Sequence, residues 1–148
     1  MEPTMPTPDT SATPTTPAPS GKVYKIYLVD DDRFLLDMYA VKFRAAGHDV
    51  TAFQGGMLVL EALRKDPAPD AVLLDVVMPE IDGFGVLDTI RKEELGGPSM
   101  KVIILSNQGQ PSDIERAKQL KVDGYIIKAS AIPSEVFSET IRIIEKTA

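Results

Sequence analysis

From Lys22 onward, short apolar runs alternate with segments whose apolar residues recur every three or four positions. KIYLVD (25–30), DVTAF (49–53), DAVLLD (70–75), KVIILS (101–106) and GYIIK (124–128) have the length and content of strands. Several are nearly unbroken in Val, Ile and Leu, the mark of strands covered on both faces. The intervening RFLLDMYAVKFRAAG, MLVLEALRKD, FGVLDTIRKEE and SDIERAKQL, with SEVFSETIRIIEK closing the chain, carry the period of helices that bury one face. The boundary residues agree. Ser112 and Glu115 fit a capping box, Asp82 an N-cap, Gly47 a helix C-terminus and Pro133 a first helical turn. Five β–α units joined by right-handed crossovers predict a doubly wound α/β domain, a five-stranded parallel sheet with five helices shared between its faces.

The first twenty residues, MEPTMPTPDTSATPTTPAPS, break the pattern. They hold six of the twelve prolines and six threonines, and Met1 and Met5 are their only large apolar side chains. Such a segment buries too little surface to offset its ordering entropy, so 1–20 reads as a disordered tail and 21–148 as the folded domain. A proline-rich docking ligand is the sharper reading of the same residues. With no basic start and no apolar core they form neither a signal peptide nor an anchor, and no stretch is long enough to span a bilayer. The net charge of −6 repels phosphate backbones, which disfavours general nucleic-acid binding and points to proteins or cations as partners. The absence of cysteine removes disulfides and thiolate metal sites and is compatible with a reducing cytoplasm.

In sheets of this kind ligands bind beyond the carboxyl ends of the strands, where the strand order reverses. The charged residues collect there: Asp30 and Asp31 end the first strand, Asp75 the third, Ser106 the fourth and Lys128 the fifth. With the order 2-1-3-4-5, strands one and three are neighbours and the three carboxylates converge. Three adjacent carboxylates resist full ionisation unless a cation sits among them, and a hard, oxygen-liganded ion such as Mg²⁺ meets that need while keeping waters. One carboxylate can then take a phosphoryl group as an acyl phosphate. Asp75 is best placed, following AVLL and preceding the turn VVMPEIDG that Pro79 and Gly83 shape. Lys128 can pair with one phosphoryl oxygen and the Ser106 hydroxyl can donate to another.

VDDD, the DVVMPEIDG turn, the LSNQG strand end and the GYIIK strand end, in that order, closely resemble the receiver domains of two-component response regulators. The resemblance covers residues 23–146, and Asp31, Asp75, Ser106 and Lys128 follow one another at intervals of 44, 31 and 22 residues, close to the family spacing. It implies a flavodoxin-like receiver similar to single-domain chemotaxis regulators, with Asp75 as phosphoacceptor. Metal binding falls to Asp31 and Asp75, to Asp30 through water, and to the main-chain carbonyl of Val77. Ser106 and Tyr125 become a switch pair, and Asp32 falls at a variable position without a role. The implied partners are a histidine kinase or histidine phosphotransfer protein, as phosphohistidine donor, and a downstream protein target. The implied activity is cytoplasmic phosphorelay signalling, with self-catalysed phosphorylation and dephosphorylation rather than turnover of a separate substrate. No output domain follows Thr147, so output is expected through protein contact. Two positions depart from the family. Ser106 stands where threonine is common, which keeps the hydroxyl. Ala129 stands where proline usually follows the lysine; a cis bond before a non-proline residue costs about 2.5–4 kcal/mol. A trans Lys128–Ala129 bond is therefore expected, with the Lys128 ammonium still in ion-pair range of Asp75.

Blander readings stand beside these. Asp30 or Asp31 could cap a helix, Ser106 could be a loop serine, Lys128 a solvated lysine and Tyr125 an edge side chain. His48, the sole histidine, reads as a surface residue of the Gly47–His48–Asp49 turn. A flavodoxin-like nucleotide or flavin binder needs a glycine-rich turn after the first strand, where this chain has DDDR. A phosphatase acting on other molecules through Asp75 needs a second general acid, and none is evident. A receiver fold serving as a phosphorylation-independent interaction module also fits the pattern, but the intact Asp75 and Lys128 argue against it.

Overall fold

A computed structural model describes residues 22–107, 109–128 and 131–146. The tail assigned to 1–20 and the Lys128–Ala129 bond lie outside the described residues. The elements are β1 (Lys25–Val29), α1 (Arg33–Ala45), β2 (Asp49–Phe53), α2 (Gly56–Lys65), β3 (Ala71–Asp75), α3 (Gly83–Glu93), β4 (Lys101–Ser106), α4 (Pro111–Gln119), β5 (Gly124–Ile127) and α5 (Pro133–Glu145). The strands form one parallel sheet in the order β2-β1-β3-β4-β5. In its register Val29 lies opposite Leu74, Asp75 opposite Leu105 and Ser106 opposite Ile127, so the residues ending β1, β3, β4 and β5 share one edge.

The unbroken apolar strands feed two cores, because successive side chains point to opposite faces. Val72, Leu74, Val102 and Ile104 pack with Val59, Leu60, Val86 and Leu87 of α2 and α3. Ile26, Leu28, Leu73, Ile103 and Leu105 pack on the other face with Leu36 and Phe43 of α1 and Val136 and Ile141 of α5. Burial of each such side chain contributes about 1.5–3 kcal/mol, which holds the helices on both faces. By contrast α4 buries Ala117 alone.

The helix ends show what the sequence reading missed. Asp32 caps α1, its Oδ1 accepting from the Phe34 and Leu35 amides at 3.0 and 3.2 Å. Asp82 caps α3 as expected, accepting from Gly85 N at 2.8 Å. Helix α4 begins one residue before the anticipated capping box. Pro111 takes the first helical position, where its fixed φ suits and its missing N–H costs nothing, and Ser112 falls inside the first turn. Gly47 ends α1 with φ +93°, and the amides of Gly47 and His48 return to the carbonyls of Arg44 and Phe43. The same turn ends α4 around Lys121 (φ +60°), with Lys121 N on Lys118 O and Val122 N on Ala117 O. Pro133 opens α5 as expected.

His48 is not a surface residue. The left-handed turn at Gly47 folds the chain back beneath the start of β1. His48 is buried there, its Nδ1 accepting from Tyr24 N at 3.1 Å, with its ring stacked 5.4 Å from Tyr24 and tilted against Phe137 at 5.9 Å. Its Nε2 has no hydrogen-bond partner among the described residues. The Tyr24 hydroxyl donates to Glu145 at 2.8 Å, joining the start of β1 to the end of α5. Among the described residues no helix is long and apolar enough to cross a membrane.

Candidate functional site

The carboxyl edge of the sheet brings together the residues that the sequence singled out. Asp30 follows β1 and its main chain still pairs with the edge strand, its amide donating to Phe53 O at 3.1 Å. Asp75 is the last residue of β3, and Val76 continues the pairing through Leu105 O at 3.2 Å. Adjacent parallel strands thereby set Asp30 and Asp75 side by side, both buried, with Asp31 exposed at the mouth. One carboxylate oxygen from each of Asp30, Asp31 and Asp75 lies within 4.8 Å of the other two. The donors are all oxygen and one face is open to water, which suits a small hard divalent cation that keeps part of its hydration shell.

Lys128 reaches this cluster from the end of β5. Its Nζ lies 3.1 Å from Asp30 Oδ2 and 3.0 Å from Asp75 Oδ1, and its side chain is only 7% exposed. The expected ion-pair range to Asp75 is met. Asp30 Oδ1 accepts from Asp32 N at 2.9 Å, which fixes the carboxylate between the start of α1 and the lysine. Burial, and then the neighbouring Asp30 charge, push the Asp75 carboxyl up to about 6 against the pull of Lys128. Burial acts to lower the Lys128 pKa, but Asp75 and then Asp30 outweigh it and hold the ammonium above its usual range.

The turn after Asp75 is shaped by close approach. A Cβ on Gly83 would stand 2.3 Å from Asp75 O and 3.0 Å from Val76 Cα, so only glycine lets α3 start against the backbone of the acidic residue. The Gly83 amide donates to Val76 O at 2.9 Å, and Glu80 takes φ +70° within the turn. Val77 is exposed beside the pocket. Ser106 is buried at the end of β4, and Tyr125 lies half-buried on β5 against the α3 side of the core, beside Ile104. The structure therefore brings Asp30, Asp31, Asp75 and Lys128 into one cluster. Ser106, Val77 and Tyr125 lie on the strands and turn around it.

Sequence reasoning missed two neighbours of this site. Asp32 is the α1 cap, and its position directly before an amphipathic run was the available signal. Tyr39 sits on the buried stripe of α1, and the three- and four-residue spacing of Leu36, Tyr39, Ala40 and Phe43 would have placed it.

Comparison with known proteins agrees with this architecture. The family model for the response regulator receiver domain matches residues 26–136. The chain is 27% identical over 123 residues to a probable transcriptional regulator ycf27 of Guillardia theta, covering 83% of this chain and 46% of that protein. It is 30% identical over 104 residues to the DNA-binding dual master transcriptional regulator RpaA of Synechocystis sp., covering 70% of this chain and 41% of that one. The chain thus spans less than half the length of these curated relatives. A CheY-like receiver domain protein from Methanospirillum hungatei superposes with a TM-score of 0.74 at 20% identity, over 84% of this chain and 95% of that one. Five parallel strands in this order, the acidic cluster at their carboxyl edge and a family match over most of its length establish that the chain belongs to the response regulator receiver domain family.

Proposed function

We propose that Asp75 accepts a phosphoryl group from a phosphohistidine on a histidine kinase or histidine phosphotransfer protein, and that the modified domain changes its affinity for a downstream protein. The observation that carries this reading is the Asp75 carboxylate itself. It lies at a strand end, 3.0 Å from the Lys128 ammonium and grouped with Asp30 and Asp31. An Asp75 oxygen attacks phosphorus, the P–N bond breaks, and its electron pair leaves on the imidazole. Hydrolysis of the acyl phosphate then returns the carboxylate and inorganic phosphate. Lys128 pairs with one phosphoryl oxygen and Ser106 donates to another, so the developing charge meets fixed donors. Asp31, Asp75, the Val77 carbonyl and Asp30 through water would hold Mg²⁺. When bound, the ion offsets negative charge on the transferring group. Ser106 and Tyr125 are the residues through which the change would pass to the surface. This is signalling chemistry on the protein's own side chain, not turnover of a separate substrate.

Incubation with acetyl phosphate and Mg²⁺, followed by intact mass, tests the reading. One phosphoryl adduct is expected, absent without Mg²⁺ and absent in Asp75→Asn. A wild-type chain that gains no adduct leaves the phosphorylation-independent interaction module as the better account.

A further inference from the structure

The segment Asp30–Asp31–Asp32 is pinned at both ends, by different means. At its start the Asp30 amide donates to Phe53 O at 3.1 Å, so that its backbone belongs to the sheet. At its end Asp32 takes φ −81° and ψ 101° and uses its amide, carbonyl and carboxylate at once. Its Oδ1 accepts from Phe34 N and Leu35 N at 3.0 and 3.2 Å, and its carbonyl accepts from Leu36 N at 3.0 Å. Its amide donates to Asp30 Oδ1 at 2.9 Å, while Asp30 Oδ2 takes the Lys128 ammonium at 3.1 Å. The segment is thus two aspartate turns in series, each a carboxylate that holds the backbone amide two residues on.

Helix capping alone accounts for the Asp32 carboxylate, but the consequence of the cap falls on its neighbours. Asp31 stands between the two pinned residues, and its exposed carboxylate is held at the mouth of the pocket. There one of its oxygens lies within 4.8 Å of oxygens of Asp30 and Asp75. Like charges at that range repel, and in the metal-free chain a loose segment would spread them apart. With its far end fastened to α1, the segment holds the carboxylates together before a cation arrives.

We propose that Asp32 is a positioning residue for the cation site: by capping α1 it fixes the backbone that orients Asp30 and presents Asp31. The proposal rests on Asp30, Asp31 and Asp75 holding Mg²⁺, and it assigns the effect to the cap and not to the charge of Asp32. Without the cap a fraction of molecules leaves the binding arrangement, and the apparent Kd rises as the competent fraction falls. Saturating Mg²⁺ draws the segment back, so the maximal rate of phosphoryl uptake is spared.

Three variants separate cap from charge. Asp32→Ala removes both, whereas Asp32→Asn and Asp32→Ser lose the charge and keep an oxygen that caps about as well. Mg²⁺ binding is to be measured by titration calorimetry on wild type and the three variants, with the melting temperature of each in metal-free buffer. Phosphoryl uptake from acetyl phosphate is to be followed by intact mass across Mg²⁺ concentrations. In Asp32→Ala the Mg²⁺ Kd should rise roughly fivefold, the factor that loss of a typical cap supplies. The Mg²⁺ concentration for half-maximal uptake should rise by the same factor, with the maximal rate unchanged. Asp32→Asn and Asp32→Ser should bind Mg²⁺ within about twofold of wild type. A lowered melting temperature in Asp32→Ala with an unaltered Kd makes the residue a structural cap only and overturns the proposal. An equal loss of affinity in all three variants overturns it as well, because the charge is then the cause. A wild-type chain that binds no Mg²⁺ overturns the cation site and this proposal with it.

Discussion

Burial pushes the Asp75 carboxyl up to about 6 and holds the His48 imidazole below its usual range, although the Glu145 charge opposes the latter. The consequences for stability run in opposite directions. Between the ordinary carboxyl value and about 6, the folded protein keeps a proton on Asp75 that the unfolded chain has lost, so stability falls as pH rises through that window. For His48 the unfolded chain binds a proton near 6.5 that the folded protein resists, so stability falls as pH drops below that value. The proton has nowhere to go without displacing the Tyr24 amide from Nδ1. In metal-free protein, Asp75→Asn should flatten the loss seen on raising the pH from roughly 4 to 6. His48→Phe keeps a stacked ring but leaves the Tyr24 amide unpaired. It should cost about 1–2 kcal/mol at neutral pH and reduce the acid-side loss. Denaturant unfolding across pH measures both, and an unaltered acid slope in His48→Phe would assign that slope to another group. The two residues also differ in how openly the sequence announced them. Asp75 was legible because a charge closing an apolar strand has few uses. His48 was misread because its burial is set by Phe137 and by Tyr24, residues that are 89 and 24 positions away.

Among the described residues three helices end in left-handed residues, at Gly47, Glu94 and Lys121, and only the first was legible, because only glycine adopts that conformation without cost. At α4 the turn survives despite a lysine, held by two backbone bonds and by Arg91, whose guanidinium donates to Leu120 O and Lys121 O at 2.9 Å. Lys121→Gly should therefore stabilise the domain by about 0.5–1 kcal/mol, the strain of the left-handed lysine less the added chain entropy of glycine. Thermal unfolding would show this as a small rise, and a fall would mean that the lysine side chain contributes contacts worth more than the strain. Strand and helix identities were legible throughout because the apolar period changes from run to stripe. The start of α4 was not, because two start signals, Pro111 and Ser112–Glu115, lie one residue apart and the backbone takes only one.

The strand order was readable from the alternation of elements and the placing of acids at strand ends, since only neighbouring β1 and β3 bring Asp30 and Asp31 to Asp75. That convergence makes the folded molecule a better ligand than its unfolded chain. Mg²⁺ at tenfold excess over its Kd should add about 1.4 kcal/mol and raise the melting temperature by roughly 3–6 °C. Asp31→Ala should abolish the rise while leaving the metal-free protein no less stable, because it removes one of three crowded charges. A calorimetric scan with and without Mg²⁺ decides it, and an unchanged midpoint in wild type would count against the site. The Tyr24–Glu145 hydrogen bond carries a different consequence. It draws the first strand's beginning and the last helix's end together at the pole of the sheet opposite the acidic pocket. Anything tethered to either of these ends, a surface, a label or a fused domain, departs from that far pole. Such a tether begins at the end of the sheet away from the pocket, as a cable leaves the back of a socket.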